Sequence, residues 1–229
     1  MNRAKRPATQ VNEEDLMASQ DLVEFAVKTV AQTAVAQEKE FCELDAVVGD
    51  GDFGYSLARG FEIVVNDWDS LDRSSASAFL QKVAIVVTSR VGGTSGPIWG
   101  TAFMRAAGAV RGKTDLTGAD AVAMLRAAIE GIKQRGNTDL GDKTLVDALV
   151  PATDALEAAL AAGASPADAA DAFAKAARSA ADATTSMIAK RGRAAYTGER
   201  SIGSPDPGAV AVAVIAEAIA ANWPQAAGE

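Results

Sequence analysis

Helical periodicity is the feature that most limits how this 229-residue chain can fold. Apolar residues recur every three to four positions in eight segments. No window shows a convincing alternation of apolar and polar residues, and the strand-like stretch 83–87 lies inside a longer helical pattern. We therefore predict an all-α protein, one domain of eight helices whose short connections make sequence neighbours antiparallel.

Capping residues and glycine- or proline-containing connections set the limits of these helices. The predicted helices cover residues 12–41, 55–68, 74–90, 97–110, 117–135, 142–162, 166–190 and 208–222. The predicted N-caps are Asn12, Thr117, Asp142, Ser165 and Asp206, and Pro97 takes the first position of the fourth helix. Residues 1–11 are predicted to form a flexible tail before a helical domain at 12–229. Its alanine richness fits close helix packing, and a GC-rich genome explains it equally well.

The composition excludes several classes of protein. Thirty acidic residues against 22 basic ones give a net charge of −8, which argues against a general nucleic-acid binder. No apolar run approaches the roughly 18 residues that span a bilayer, and Glu217 interrupts the most apolar stretch, 209–223. The polar residues 1–10 lack the apolar core of a signal peptide. We expect a cytoplasmic protein that contacts neither membranes nor nucleic acids.

Two side chains that often carry chemistry are scarce or absent. Cys42 is the one cysteine, so an internal disulfide is excluded, and there is no histidine. The commonest general base and the commonest metal ligand are therefore missing. Any metal site must use oxygen ligands, which favours Mg²⁺, Mn²⁺ or Ca²⁺ over Zn²⁺.

The stretch 45–54 concentrates negative charge on a flexible backbone. Asp45, Asp50 and Asp52 fall within eight residues, separated and followed by glycines. Carboxylates this close repel one another, and a hard divalent cation would relieve the repulsion. The spacing does not match the calcium loop of an EF-hand. A magnesium site that holds phosphates is our working hypothesis, and an acidic surface turn is the alternative that spacing alone leaves open.

Three further connections have suitable chemistry. Residues 92–97 offer backbone N–H groups at a helix N-terminus, where anions bind, although a simple turn would look the same. Residues 136–142 form a polar turn, and the loop 191–208 carries Arg193, which can reach a phosphate or be merely solvated. These connections follow the first, third, fifth and seventh helices, so all four share one end of an up-and-down bundle. The connections at the opposite end lack this chemistry.

Four strings of residues resemble the nucleotide-binding L subunit, or L domain, of dihydroxyacetone kinases. The matching strings are 45–54, 92–97 with 100–103, 141–144 with 147–149, and 192–203 leading to 206–209. They extend over nearly the whole chain in the family's order and spacing. The resemblance implies a closed barrel of eight antiparallel helices, with a nucleotide (ATP or ADP) bound at one rim.

The resemblance also implies roles for individual residues. Asp45, Asp50 and Asp52 would bind two Mg²⁺ ions that bridge the nucleotide phosphates, and Arg193 would join them in catalysis. The implied nucleotide contacts are Phe53, Gly54, Tyr55, Ser56, Thr94, Ser95, Gly136, Leu145, Arg193, Asp206, Pro207 and Gly208. In the family, a separate K subunit or domain holds the keto-sugar through a covalent hemiaminal to a histidine. This chain has no histidine, so it would require that K-type partner to reach a small ketose.

The chain departs from the family at two positions that are usually histidine. Phe53 follows the Gly-Asp-Gly-Asp string, and Ser204-Pro205 stands where the family often has His-Gln. The departures put any nucleotide contact by those histidines in doubt. They could mark a subfamily that acts on a related ketose such as erythrulose.

Three functions are compatible with these features. The chain could be a kinase subunit that transfers the γ-phosphoryl group of ATP to a ketose on its partner. In the second, tightly bound ADP stays in place and is rephosphorylated by a phosphohistidine carrier protein. In the third, the chain is a nucleotide-sensing regulatory module without catalysis. The sequence leaves the ketose, the phosphoryl donor and a homodimer undecided.

Overall fold

The computed structural model describes residues 13–224, with side chains from Ser19 onward. The predicted tail at 1–11 and the predicted N-cap Asn12 lie outside the described residues. The α-helices of the described part are α1 (Glu13–Ala36), α2 (Glu38–Asp45), α3 (Phe53–Asn66), α4 (Ala76–Arg90), α5 (Ser95–Ala109), α6 (Gly118–Gly136), α7 (Leu145–Ala161), α8 (Pro166–Ala183) and α9 (Pro207–Ala221). Short 3₁₀ helices lie at Trp68–Ser70, Thr184–Ser186 and Arg193–Ser201, and residues 13–224 contain no strand.

The helices close into a ring. From α3 onward each helix packs against the next one in sequence, α1 packs against α3, and α9 returns to α1. Because α2 continues α1 after a break at Gln37, the nine α-helices of the described part form a ring of eight helical segments. The prediction of an all-α, eight-helix, up-and-down barrel is confirmed. No helix among residues 13–224 combines the length and apolar character needed to cross a bilayer.

The prediction of one unbroken first helix is wrong. It does not run unbroken to Phe41, since Gln37 leaves helical geometry and α2 extends to Asp45. The side chain of Phe41 is fully buried, which anchors α2 in the core. The backbones of α2 and α3 also approach closely, because a Cβ on Gly54 would lie 2.0 Å from the carbonyl oxygen of Glu38. Asp45 therefore sits on the last turn of a helix rather than in a loop.

Several helix ends follow the predicted caps. Thr117 and Asp120 form a reciprocal capping box at α6. The Ser165 hydroxyl accepts the N–H of Asp168 at α8, and the Asp206 carboxylate accepts the N–H of Ala209 at α9.

Three further predicted ends are wrong. The N-cap of α7 is Thr144 rather than Asp142, because Asp142 binds basic side chains from a later loop. Helix α5 begins at Ser95, which moves Pro97 to the third position. Helix α8 ends at Ala183 instead of residue 190, since the chain there narrows to 3₁₀ geometry and turns into the long loop.

The core has two parts that differ in the size of their side chains. Large side chains fill the part between α1 and α5, among them the fully buried Phe41, Leu57, Phe61 and Phe79. Alanine dominates the part formed by α7, α8 and α9, where the buried members include Ala148, Ala152, Ala174, Ala177, Ala181 and Ala213. The alanine richness thus lies at close helix–helix contacts.

Candidate functional site

Four connections meet at one end of the barrel. The hydroxyl oxygen of Ser56 lies 3.0 Å from the position that a Cβ on Gly92 would take, which joins the first two connections. Gly208 lies against Leu145, since its Cβ position is 3.4 Å from that of Leu145. Arg193 of the last connection forms an ion pair with Asp50 of the first. The structure therefore brings the four predicted segments together, while the roles of their residues stay predictions.

The three aspartates form a compact cluster. Asp45, Asp50 and Asp52 each offer a carboxylate oxygen, and these oxygens lie within 4.8 Å of one another. The Asp45 carboxylate accepts the N–H of Asp52 at 3.1 Å and so closes the loop. A Cβ on Gly49 would lie 2.1 Å from Asp45 Oδ1 and 2.9 Å from the backbone carbonyl oxygen of Asp45, so a larger residue would displace the Asp45 carboxylate. Local backbone contacts thus hold the three carboxylates on one small surface.

Arg193 supplies positive charge to this cluster. It opens the 3₁₀ helix Arg193–Ser201, after Gly192 with φ of 64°. Its guanidinium pairs with Asp50 and lies 3.5 Å from Asp52 Oδ2. One guanidinium against three carboxylates leaves an excess of negative charge. The all-oxygen donor set is the type that Mg²⁺ prefers, so the residues fit the expected cation.

The first turn of α3 presents residues 53–56 to the rim. The ring of Phe53 packs toward the core, 5.9 Å from the ring of Phe41, while its backbone N–H donates to Asp45 Oδ2 at 3.3 Å. Tyr55 is exposed beneath the guanidinium of Arg59, 5.3 Å from the ring centre. At the position where the family usually has histidine, the side chain is therefore a core contact.

The second connection leads into the N-terminus of α5. Thr94 is exposed and makes no side-chain capping bond, and Ser95 begins the helix. A Cβ on Gly96 would lie 2.3 Å from the carbonyl oxygen of Val91, so the turn is tight. The first N–H groups of a helix have no partner within it. This end of α5 can therefore donate hydrogen bonds to an anion.

The remaining predicted residues lie on the facing side. Gly136 ends α6, and its Cβ position is 3.2 Å from Ile98 of α5. Pro207 is buried at the start of α9, and Gly208 lies on Leu145. The Asp206 carboxylate caps α9 by accepting the N–H of Ala209 at 2.7 Å. Burial raises the pKa of Asp206 to about 7, and backbone hydrogen bonds only partly offset that effect.

A polar network that the sequence did not predict lies behind these residues. Lys143 is buried and donates to backbone carbonyls of the last connection. Asp142 accepts from Arg191 at 2.9 Å and pairs with Lys190. Asp147 accepts the N–H groups of Gly141 and Thr144 at 2.5 and 2.7 Å. The string 141–144 marks this place in the sequence, but nothing in its pattern shows that its charges are buried.

Two surface cavities lie away from the rim, beside α9. One of about 590 Å³ lies on the surface between α8 and α9. Its lining residues Arg178 and Glu217 form a bidentate ion pair. The other, of about 250 Å³, lies between α1 and α9. Neither cavity is lined by a residue that the sequence predicts for the site.

A family comparison matches most of the chain. The model described as the DAK2 domain matches residues 47–221. The chain belongs to the DAK2 domain family.

Individual relatives are of two lengths. The ADP-binding subunit DhaL of the PEP-dependent dihydroxyacetone kinase of Escherichia coli is 38% identical over 177 residues, which are 77% of this chain and 84% of that protein. The L-erythrulose 1-kinase of Mycolicibacterium smegmatis is 39% identical over 198 residues, 84% of this chain but only 34% of the relative. The chain thus spans about a third of the erythrulose kinase.

A solved structure shows the same fold. The dihydroxyacetone kinase of C. freundii in its native form superimposes with a TM-score of 0.71 at 24% identity, covering 96% of this chain and 38% of that one.

Proposed function

We propose that this chain is the nucleotide-binding subunit of a dihydroxyacetone-type kinase that works with tightly bound ADP. A phosphohistidine carrier protein rephosphorylates the ADP, and the phosphoryl group then passes to a small ketose on a separate K-type subunit. The cluster of three carboxylates facing Arg193 at the rim carries this proposal. The likeness to the ADP-binding subunit of Escherichia coli supports ADP as the resident nucleotide.

Asp45, Asp50 and Asp52 would hold Mg²⁺, and the resemblance to the L subunit of dihydroxyacetone kinases implies two ions. When bound, Mg²⁺ neutralises phosphate charge and spreads the charge that develops during phosphoryl transfer. Asp45 is itself oriented by the N–H groups of Asp52 and Phe53. It therefore offers a fixed ligand, while Asp50 and Asp52 are the exposed members that can adjust.

The phosphates would lie between two helix N-termini. Helices α3 and α5 both begin at the rim, and the positive ends of their dipoles favour an anion. Ser56, Thr94 and Ser95 add hydroxyl groups in the first turns of these two helices. Arg193 would pair with a phosphate oxygen and stabilise the charge of the transferring group.

The rest of the nucleotide would lie on the facing side of the rim. Gly136, Leu145, Pro207 and Gly208 offer a surface with little polar side-chain chemistry, which suits a base and its ribose. Asp206 fixes the start of α9 beneath this surface. The nucleotide would thus extend from the connection 45–54 to the connection 191–208.

The partner would dock on the same rim. The exposed large apolar side chains there are Val47, Tyr55, Leu140, Ile188, Tyr196 and Ile202, and Tyr196 is 91% exposed. Apolar side chains concentrated beside a charged site are typical of a surface that another protein covers. With no histidine in the chain, the ketose anchor would come from the partner.

The test compares two phosphoryl donors on the same pair of subunits. The chain and a K-type subunit are incubated with dihydroxyacetone and either a phosphorylated histidine carrier or free ATP. We expect turnover with the phosphorylated carrier and none with free ATP. The ADP should stay bound to the chain through gel filtration. Failure of transfer in both arms would contradict a catalytic role and favour a regulatory module.

Direct use of ATP is the second candidate. The 39% identity to an L-erythrulose 1-kinase and 36% identity to the L-erythrulose kinase of Pectobacterium atrosepticum favour it. Erythrulose is therefore added as a second acceptor in both arms. Turnover with free ATP and no carrier would support this candidate over the first.

A further inference from the structure

Lys143 holds its charge in an unusual setting. The residue is 2% exposed, and its ammonium donates to the backbone carbonyls of Ser204 at 2.7 Å, Met187 at 3.2 Å and Ser201. An ammonium has three N–H donors, so all of them are used. The backbone of Lys143 has φ of 61°, which residues with a Cβ rarely adopt. The local chain is therefore bent to bring this ammonium to the three carbonyls.

The three carbonyls belong to one segment, residues 187–204. The segment also ties to itself and to its surroundings, since the N–H of Ala189 donates to Ser201 Oγ at 2.9 Å. The N–H of Gly203 donates to the carbonyl of Thr185 at 2.9 Å. The segment thus wraps around the Lys143 ammonium. Without the Lys143 ammonium, these carbonyl oxygens would have no donor to replace the water that they lose on folding.

Segment 187–204 carries Arg193 at its middle. The 3₁₀ helix that begins at Arg193 ends at Ser201, whose carbonyl accepts from Lys143. This stretch is kinked at Gly198, which has φ of 58° and ψ of −128°. Lys143 also holds the chain before Arg193, through the carbonyl of Met187. The hydrogen bonds of Lys143 therefore hold segment 187–204 on both sides of Arg193.

We propose that Lys143 is a positioning residue, whose ammonium fixes segment 187–204 and thereby holds Arg193 against Asp50 and Asp52. Lys143 itself contacts no residue assigned to phosphate binding, so it acts through the segment. The consequence for phosphate binding rests on the proposed function, while the consequence for the segment does not.

The first experiment measures the segment directly in the full chain. Lys143→Met keeps a similar side-chain length and removes every donor. Amide hydrogen exchange followed by mass spectrometry is expected to speed up at least tenfold in residues 187–206, with no change in α3 to α5. Lys133→Met is the matched control, because Lys133 pairs with Asp139 and holds no carbonyl of the segment. Exchange in 187–206 at the wild-type rate in Lys143→Met would overturn the proposal.

The second experiment asks whether Lys143 acts through Arg193. Binding of Mg·ADP is measured by calorimetry for Lys143→Met, Arg193→Ala and the double variant. Each single change is expected to weaken binding about tenfold, and the double variant no further than about tenfold. A product of the two effects, about a hundredfold, would show independent action and overturn the proposal. If the wild type binds no Mg·ADP, the proposed function fails while hydrogen exchange still decides the positioning role.

A variant that does not fold leaves two further measurements. Lys143→Gln keeps N–H donors on a shorter stem and is studied in the same way. The wild-type chain can also be methylated at lysine and mapped by mass spectrometry. Lys143 should stay unmodified while the 77% exposed Lys175 reacts, and equal rates would overturn the proposal.

Discussion

The two sides of the rim hold charge in opposite ways. On one side Asp45, Asp50 and Asp52 converge at the surface, where Asp50 and Asp52 are exposed. On the other side Lys143 and Asp147 are buried, and each has protein hydrogen-bond partners. Like charges gathered at a surface favour a ligand of opposite charge, whereas a satisfied buried network holds a shape. The first side, with Asp45, Asp50 and Asp52, suits the proposed binding of a cation, and we call it the binding side. The second, residues 141–147 with 187–206, suits the proposed positioning role, and we call it the positioning side.

The two sides also rest on different cores. Large aromatic and aliphatic side chains support the helices around the acidic connection, while alanine contacts support α7 to α9. Alanine lets helices approach closely but buries little apolar surface per residue. The buried hydrogen bonds of residues 141–147 and 187–206 supply additional order on that side. Arg193 connects the two sides, because it belongs to segment 187–204 on the second side and pairs with Asp50 on the first.

The largest expected effect comes from the binding side. Asp50→Asn and Asp52→Asn each remove a carboxylate of the cluster. Their affinity for Mg·ADP should fall by more than the roughly 100-fold that loss of an outer-shell partner costs in metal sites. The melting temperature should change little, because both side chains are about half exposed and their loss relieves repulsion. Calorimetry with Mg·ADP and thermal unfolding check both parts.

Asp69→Asn is the matched control for these variants. Asp69 is exposed in the 3₁₀ helix Trp68–Ser70, at the opposite end of the barrel. It should bind Mg·ADP as the wild type does. Wild-type affinity in Asp50→Asn or Asp52→Asn would show that the acidic side is only a surface turn.

The second effect concerns a carboxylate on the positioning side. Burial raises the pKa of Asp206 from its ordinary 3.8 to about 7, so the folded chain binds a proton that the unfolded chain has lost. The contribution of Asp206 to stability is present below about pH 4 and is lost as the pH rises toward 7. Relative to Asp206→Asn, the wild type should lose up to about 1.4 kcal/mol for each pH unit in that window.

Urea unfolding of both proteins between pH 4 and 8 measures this difference. Asparagine keeps an oxygen that can accept the N–H of Ala209, so the helix cap is preserved. The difference between the two proteins should be constant above about pH 7. A difference independent of pH over the whole range would show that folding does not raise the pKa of Asp206.

The sequence predicted the helices better than it predicted the positioning side. Thr117, Ser165 and Asp206 identify helix starts because a cap and its partner lie three residues apart. The break at Gln37 has no such local signal, since helical periodicity continues on both sides of it. Local patterns therefore give the existence of helices and many of their ends, but not every interruption.

The acidic side was predictable because its ligands are close in sequence. Asp45, Asp50 and Asp52 lie within eight residues, and the backbone alone brings them together. Asp142, in contrast, binds Arg191 from 49 residues away, which removes it from the capping role assigned to it. Lys143 was missed for the same reason, as its partners belong to a distant segment.

The third effect compares two aspartates at helix N-termini. Asp147→Ala removes a buried carboxylate and leaves the part-buried N–H groups of Gly141 and Thr144 without their acceptor. The free energy of unfolding should fall by about 2 kcal/mol. Asp168→Ala is the control at the exposed N-terminus of α8, where water replaces the lost acceptor and the fall should stay below about 1 kcal/mol. Equal losses in urea unfolding would contradict the distinction between a buried network and a surface cap.

The smallest effect lies at the far end of the barrel, away from both sides of the rim. Hydrogen bonds from Lys113 and Thr117 lower the pKa of Asp120 to about 2. Its contribution to stability is therefore present above the ordinary pKa of 3.8 and is lost as the pH falls toward 2. Asp120→Asn should cost about 1 kcal/mol at pH 7, because the 47% exposed Lys113 lets solvent screen the ion pair. The cost should vanish near pH 2 in urea unfolding. Affinity for Mg·ADP should not change, and a change would mean that the two ends of the barrel are coupled.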